Sequence, residues 1–198
     1  MLKPLVMLLL LAAPAEAAGW DKAQWGMSAQ ELATAYGAKA RRLQPPIEFG
    51  DSYAEVVLPD ASFAGESFRV YFQMDKRTHL LAHVLLERRR QYATPAVFAK
   101  VTAALQDQYG PATLACDHPD FIDRFWQEPD EAIQASYLGF PGPVLDYLPE
   151  QYADPRLSLG EQMPFLNVSP DRRLVVRYSP ATAVPKSCDE SSARRKRK

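Results

Sequence analysis

The sequence predicts an α+β fold of two halves, each a helix followed by a three-stranded antiparallel meander, with the helices packed on one face of the sheet. Three observations carry this expectation. Two segments repeat apolar residues at helical spacing behind recognisable caps, and several others alternate apolar and polar residues with the period of a half-buried strand. Both helical segments also close on Tyr-Gly, at Tyr36-Gly37 and Tyr109-Gly110, which hints at a duplicated unit.

Ser28-Ala29-Gln30-Glu31 has the form of a capping box, in which Ser28 accepts from the backbone three residues on and Glu31 reaches back. Ala29, Leu32, Ala33 and Tyr36 follow at helical spacing, and Gly37 supplies the stop, so a short helix is expected over 29–36. Three extended segments come next. Residues 52–58 are rich in Val and Tyr and end at Pro59; Phe68, Val70, Phe72 and Met74 alternate with Arg69, Tyr71 and Gln73. After the polar turn 75–78, residues 79–88 return as a strand with Leu80, Ala82, Val84 and Leu86 on one face, closing a hairpin.

Thr94-Pro95 opens the strongest helix, a capping residue followed by proline at the first helical position. Its apolar stripe is Phe98, Val101, Leu105 and Tyr109, and Gly110-Pro111 ends it. The second strand group is expected at 121–127, 132–138 and 173–179. The connection 139–165 carries five prolines (141, 143, 149, 155 and 164), an uncommon length and composition for a loop inside a compact domain. The domain is thus expected over 18–179, with halves 18–91 and 92–179, followed by a basic tail at 180–198.

Ahead of the domain, Lys3 precedes a short apolar run from Leu5 to Ala13, then Pro14 and small residues. This is the layout of a secretory signal, expected at 1–17 with cleavage after Ala17. The run is about ten residues, half the roughly twenty that a membrane anchor needs. No cysteine stands near the cleavage point, so a lipoprotein is not expected, nor is a transmembrane segment. The mature chain is expected in a bacterial periplasm or secreted.

The formal net charge of −1 hides an asymmetry: five of the basic residues form the run Arg194 to Lys198, so the body before it is acidic. An acidic body argues against nucleic-acid binding. The basic run could touch acidic lipid head groups, although a soluble end is the plainer reading. Cys116 and Cys188 are the two cysteines, and in an oxidising compartment they are expected to form one disulfide.

Trp25-Gly26-Met27-Ser28-Ala29-Gln30-Glu31-Leu32, with Tyr36-Gly37 behind it, resembles the W-G-M-S/T-x-x-E-V opening of small exported bacterial domains. That group includes the β-lactamase-inhibitor-protein-like domains and the SmpA/OmlA outer-membrane assembly lipoproteins. The resemblance spans about thirteen residues and implies an export-compartment module acting through protein contacts, without catalytic residues. The missing lipobox cysteine and the proline-rich connection depart from the pattern.

No catalytic residue, cofactor or metal is expected. His79 and His83, read as one strand, would stand about 13 Å apart on one face, too far for a shared ion. Cys116-Asp117-His118 with Asp120 and Asp123 is denser in ligand types, but Cys116 is expected to be bonded to sulfur. Glu55, Asp60 and Glu66 lie near the first meander, and Arg88-Arg89-Arg90 ends a strand as a solvated run or an anion contact. The candidate contact surface is aromatic: Tyr137, Phe140, Tyr147, Tyr152 and Phe165, on or beside the long connection. The expected function is an exported, non-enzymatic protein-binding or envelope-assembly module, with a protein partner in the cell envelope. The alternative is a small periplasmic hydrolase or ligand-binding protein with polar residues gathered in the concavity of its sheet. An open apolar surface would favour the first and a polar pocket the second.

Overall fold

The structure, a computed structural model, describes residues 19–89, 93–118, 121–138, 173–181 and 184–191. A two-stranded ribbon, β1 (Gly19–Trp20) and β2 (Ala23–Gln24), leads into α1 (Ala29–Tyr36) and one 3₁₀ turn (Gly37–Lys39). Four strands follow: β3 (Arg41–Phe49), β4 (Ser52–Phe63), β5 (Glu66–Asp75) and β6 (Leu81–Arg89). After α2 (Pro95–Tyr109) come β7 (Leu114–His118), β8 (Phe121–Gln127), β9 (Glu131–Leu138) and β10 (Arg173–Pro180).

These last eight strands form one antiparallel sheet in the order β3-β4-β5-β6-β10-β9-β8-β7. The expected pair of helix-plus-three-stranded halves is therefore corrected. Strand dominates, and β10 pairs with β6 on one side and β9 on the other, merging everything into a single sheet. Two edge strands account for much of the difference. β3 holds Pro45-Pro46, which reads as a breaker; the chain tolerates it at the sheet's margin, where its register against β4 shifts between Arg42 and Ile47. β7 is the other margin and has no clean alternation to announce it.

Bulges explain two more differences. Pro59 does not end β4, because the register against β5 shifts between Leu58 and Ala61 and the strand runs on to Phe63. Between β5 and β6 the pairs Met74–Leu81 and Gln73–His83 leave Ala82 as an extra residue. That insertion inverts the expected facing only ahead of it, where Leu81 is core and Leu80 exposed; Val84 and Leu86 face the core as expected. His79 is not in the strand at all. It sits in the β5–β6 turn at φ +58°, so the two histidines do not share a strand face.

Both helices lie over the same face and fill one core. Leu32 and Tyr36 of α1 and Phe98, Val101 and Leu105 of α2 join Val56, Val70, Phe72, Val84, Leu86, Trp126, Ile133, Leu174 and Val176. The capping box of α1 is present: the Ser28 amide donates to Glu31 Oε2 at 2.7 Å, and the Glu31 amide donates to Ser28 Oγ at 3.3 Å. The Ser28 amide first, and then the Ser28 hydroxyl, which donates to the same Oε2 at 2.8 Å, hold the Glu31 carboxyl below its usual range. At the far end of α2, the Trp126 indole N–H donates to the Gly110 carbonyl at 2.9 Å, tying the helix stop to β8. Among the described residues no helix is long and apolar enough to cross a membrane.

Candidate functional site

The face of the sheet away from the helices is built in rows, because strand residues alternate faces and neighbours stand opposite in register. One row runs Gln73 on β5, His83 on β6, Ser179 on β10 and Ala132 on β9. The next runs Tyr71, Leu85, Arg177, Gln134, Phe125 and Leu114. A third runs Arg69, Glu87, Val175, Ser136, Asp123 and Cys116. The helix-covered face is apolar at its centre; this one mixes charged, amide, hydroxyl and apolar side chains.

The last row ends in a cross-link. Cys116 and Cys188 form a disulfide, with Cα atoms 5.3 Å apart. It draws residues 184–191 across the margin of this face, where they end in a helical turn. Asp123 completes the attachment. It is fully buried and accepts from Ser136 Oγ at 2.5 Å, from Ser191 Oγ at 3.0 Å and from Gln134 Nε2 at 3.4 Å. A buried carboxylate needs such donors, and here one of them belongs to the tethered segment.

Between this segment and the β3–β4 turn lies a cavity of about 580 Å³. Its floor includes Gln73, His83, Leu85, Glu87, Arg177 and Ser136; Phe49 and Asp51 stand on one side, and Val184, Pro185 and Ser191 on the other. The volume lies within the range of small-molecule sites, as does the mixture of apolar wall and few polar groups. Six of the polar residues lining it are nearly sealed from solvent: Gln73 (1% exposed), Ser52 and Ser191 (3%), Ser136 (4%), Glu87 and Ser179 (7%). Glu87 faces Arg173 at 3.9 Å, and His83 Nδ1 lies 2.9 Å from Ser179 Oγ. Gln73 is different: its amide nitrogen is buried and has no hydrogen-bond partner. Leaving a buried donor unmet costs about 1–3 kcal/mol.

The His83–Ser179 contact is a meeting of direct cross-strand neighbours and follows from the register. Ser179 sits within β10, not on the strained strand-to-helix turn that exposes a serine nucleophile.

The structure disperses the other sequence-derived candidates. His79 Nδ1 lies 2.9 Å from the Tyr53 hydroxyl in its turn. Asp117 pairs with Arg124 at 2.7 Å, and His118 stacks on Phe121 with ring centroids 4.7 Å apart. No group of three or more His, Cys, Asp or Glu side chains among the described residues could hold a metal ion. Glu55 lies 3.8 Å from Arg42, Asp60 accepts from Ser67, and Glu66 takes Lys100 at 2.8 Å and Arg88 at 3.0 Å, so the three carboxylates serve separate local contacts. Arg88 is thus a partner for Glu66, not a free strand end.

Of the aromatic contact surface, Tyr137 is buried beneath α2, its ring centroid 6.0 Å from that of Phe98, which removes it from any exposed surface. Phe140, Tyr147, Tyr152 and Phe165 lie outside the described residues, as do Asp120, Arg90, the leader at 1–17 and the basic run from Arg194. Apart from His83, the sequence does not single out the residues that line the cavity, because a polar position in an alternating strand reads as solvated surface; the polar face itself is the available signal. No protein-family model, curated protein or solved structure matches the chain.

Proposed function

We propose that the protein is an exported, non-enzymatic binding protein that takes a small organic molecule into the cavity on the helix-free face of its sheet. The observation that carries this reading is a cavity of ligand size whose floor holds a buried amide donor, that of Gln73, with no protein partner. Export is supported by the leader-like opening and by the disulfide, which belongs to oxidising compartments. The resemblance of the Trp25–Leu32 motif to small exported bacterial domains points the same way. A docking surface for a protein partner has less behind it. The large hydrophobic side chains exposed among the described residues, Ile47 and Leu80, belong to different elements, β3 and the β5–β6 turn.

The test is native mass spectrometry of the mature chain recovered from cell-envelope extract, beside a Val175→Trp variant that fills the cavity floor. Wild type is expected to carry a small non-covalent mass, and to gain thermal stability on adding back the extracted molecule, while the folded variant shows neither. Equal behaviour of the two proteins would sink the proposal.

A further inference from the structure

We infer that residues 184–191 form a redox-latched strap: reduction of the Cys116–Cys188 bond by a dithiol releases this wall and opens the cavity, and reoxidation closes it. The inference rests on the binding reading above and adds how occupancy is controlled. Register gives the first argument. Cys116 on β7 and Asp123 on β8 are direct cross-strand partners in the row that borders the cavity. Cys188 and Ser191 stand three residues apart in the helical turn, which puts them on one side of it. That side meets the cross-strand pair at two points, the disulfide and the 3.0 Å hydrogen bond from Ser191 Oγ to Asp123 Oδ2.

The two anchors differ in access. Ser191 is 3% exposed and Cys116 only 2%, whereas Cys188 faces solvent. A thiolate of the reductant therefore attacks the Cys188 sulfur, the S–S bond breaks, and Cys116 leaves with the electron pair and takes up a proton. The reductant's second thiol then displaces Cys188 from the mixed disulfide. The reductant ends as a disulfide, and its two protons end on Cys116 and Cys188.

Release leaves both partners intact. The turn holds its own shape: the Lys186 amide donates to Glu190 Oε2 at 2.8 Å, the Glu190 amide to Ser187 Oγ at 3.3 Å and the Ser191 amide to the Ser187 carbonyl at 3.2 Å. Asp123 keeps its bonds from Ser136 and Gln134, so the buried carboxylate is not stranded. Without the covalent tie, single hydrogen bonds such as that from the Val184 amide to Gln127 Oε1 at 3.3 Å are left to oppose local opening. What is lost is the wall: Val184, Pro185 and Ser191 stand opposite Phe49 and Asp51, and their departure turns the cavity into an open sheet face.

The test compares the mature chain labelled with 4-fluorophenylalanine before and after reduction by dithiothreitol at pH 7.5. Hydrogen exchange over 184–191 is expected to speed at least tenfold on reduction. The fluorine signal of Phe125, in the cavity wall, is expected to shift, while Phe72 and Phe98 in the helix-covered core keep theirs. Ser191→Ala is expected to stay within twofold of wild type in exchange over 184–191 while oxidised, and to exceed reduced wild type once reduced. Wild type from envelope extract is expected to release its small non-covalent mass on reduction. Equal exchange in the two states would overturn the latch, because the wall is then held without the bond. A shift of the Phe72 and Phe98 signals would overturn it too, because the bond then holds the whole fold. Oxidised protein that carries no mass would overturn the binding reading instead, and the exchange contrast then decides the latch by itself.

Discussion

Glu131 begins β9 as a carboxyl only 9% exposed, with one oxygen lacking any hydrogen-bond partner. Burial pushes its proton affinity up from the ordinary carboxylate range, Glu128 adds to that, and a hydrogen bond from Tyr109 opposes it. The same burial lifts the hydroxyls of Tyr109 and Tyr178 beside it. Because the folded chain holds the Glu131 proton more tightly than the unfolded chain does, this residue's contribution is complete below its unfolded value and is lost as pH rises through the folded one. Glu131→Gln keeps an acceptor for Tyr109 and removes the charge. Its Tm is expected to match or exceed that of wild type at pH 8 and to vary less between pH 4 and pH 8, as scanning calorimetry would show; a lower Tm at pH 8 would refute this. None of this is legible from residues 128–131, which read as a polar turn. The same holds for Gln73: alternation places it opposite Phe72, but only long-range pairing turns that face into a floor.

At the scale of elements, local chemistry explains what was legible. Helix α1 follows from its capping box and α2 from Thr94-Pro95, because both signals lie within a few residues. The two helices differ in what holds them. Ser28→Ala is expected to cost about 1 kcal/mol, the ordinary value of an N-cap. Leu105→Ala, at a fully buried position of α2, is expected to cost about 2–5 kcal/mol. Urea melts of the two variants compare them directly, and equal losses would contradict the core assignment. Strands β5, β8, β9 and β10 were legible from alternation, while β3 was concealed by its prolines and the start of β6 by a bulge. Which strands would meet was not legible. The β6–β10 pairing joins residues such as Val84 and Tyr178, and nothing near either one encodes the other.

The molecule as a whole is closed by chemistry at both margins of its sheet. At the β7 margin the Cys116–Cys188 bond spans 72 residues of sequence, and closing such a loop stabilises by about 4 kcal/mol on a chain-entropy account. The pairing was legible because only two cysteines exist; its role in holding residues 184–191 beside the cavity was not. The Cys116→Ser/Cys188→Ser double variant is expected to lose most of that stability and to show faster hydrogen exchange over 184–191. Unchanged exchange there would show that the segment is held without the bond. At the opposite margin, β3 carries Pro45-Pro46, and proline has no backbone N–H. A second molecule aligning itself along that border would find donors missing where a ladder must be continuous, so the sheet cannot be extended there into a polymer. A border that refuses its own copies guards the chain against edge-to-edge association.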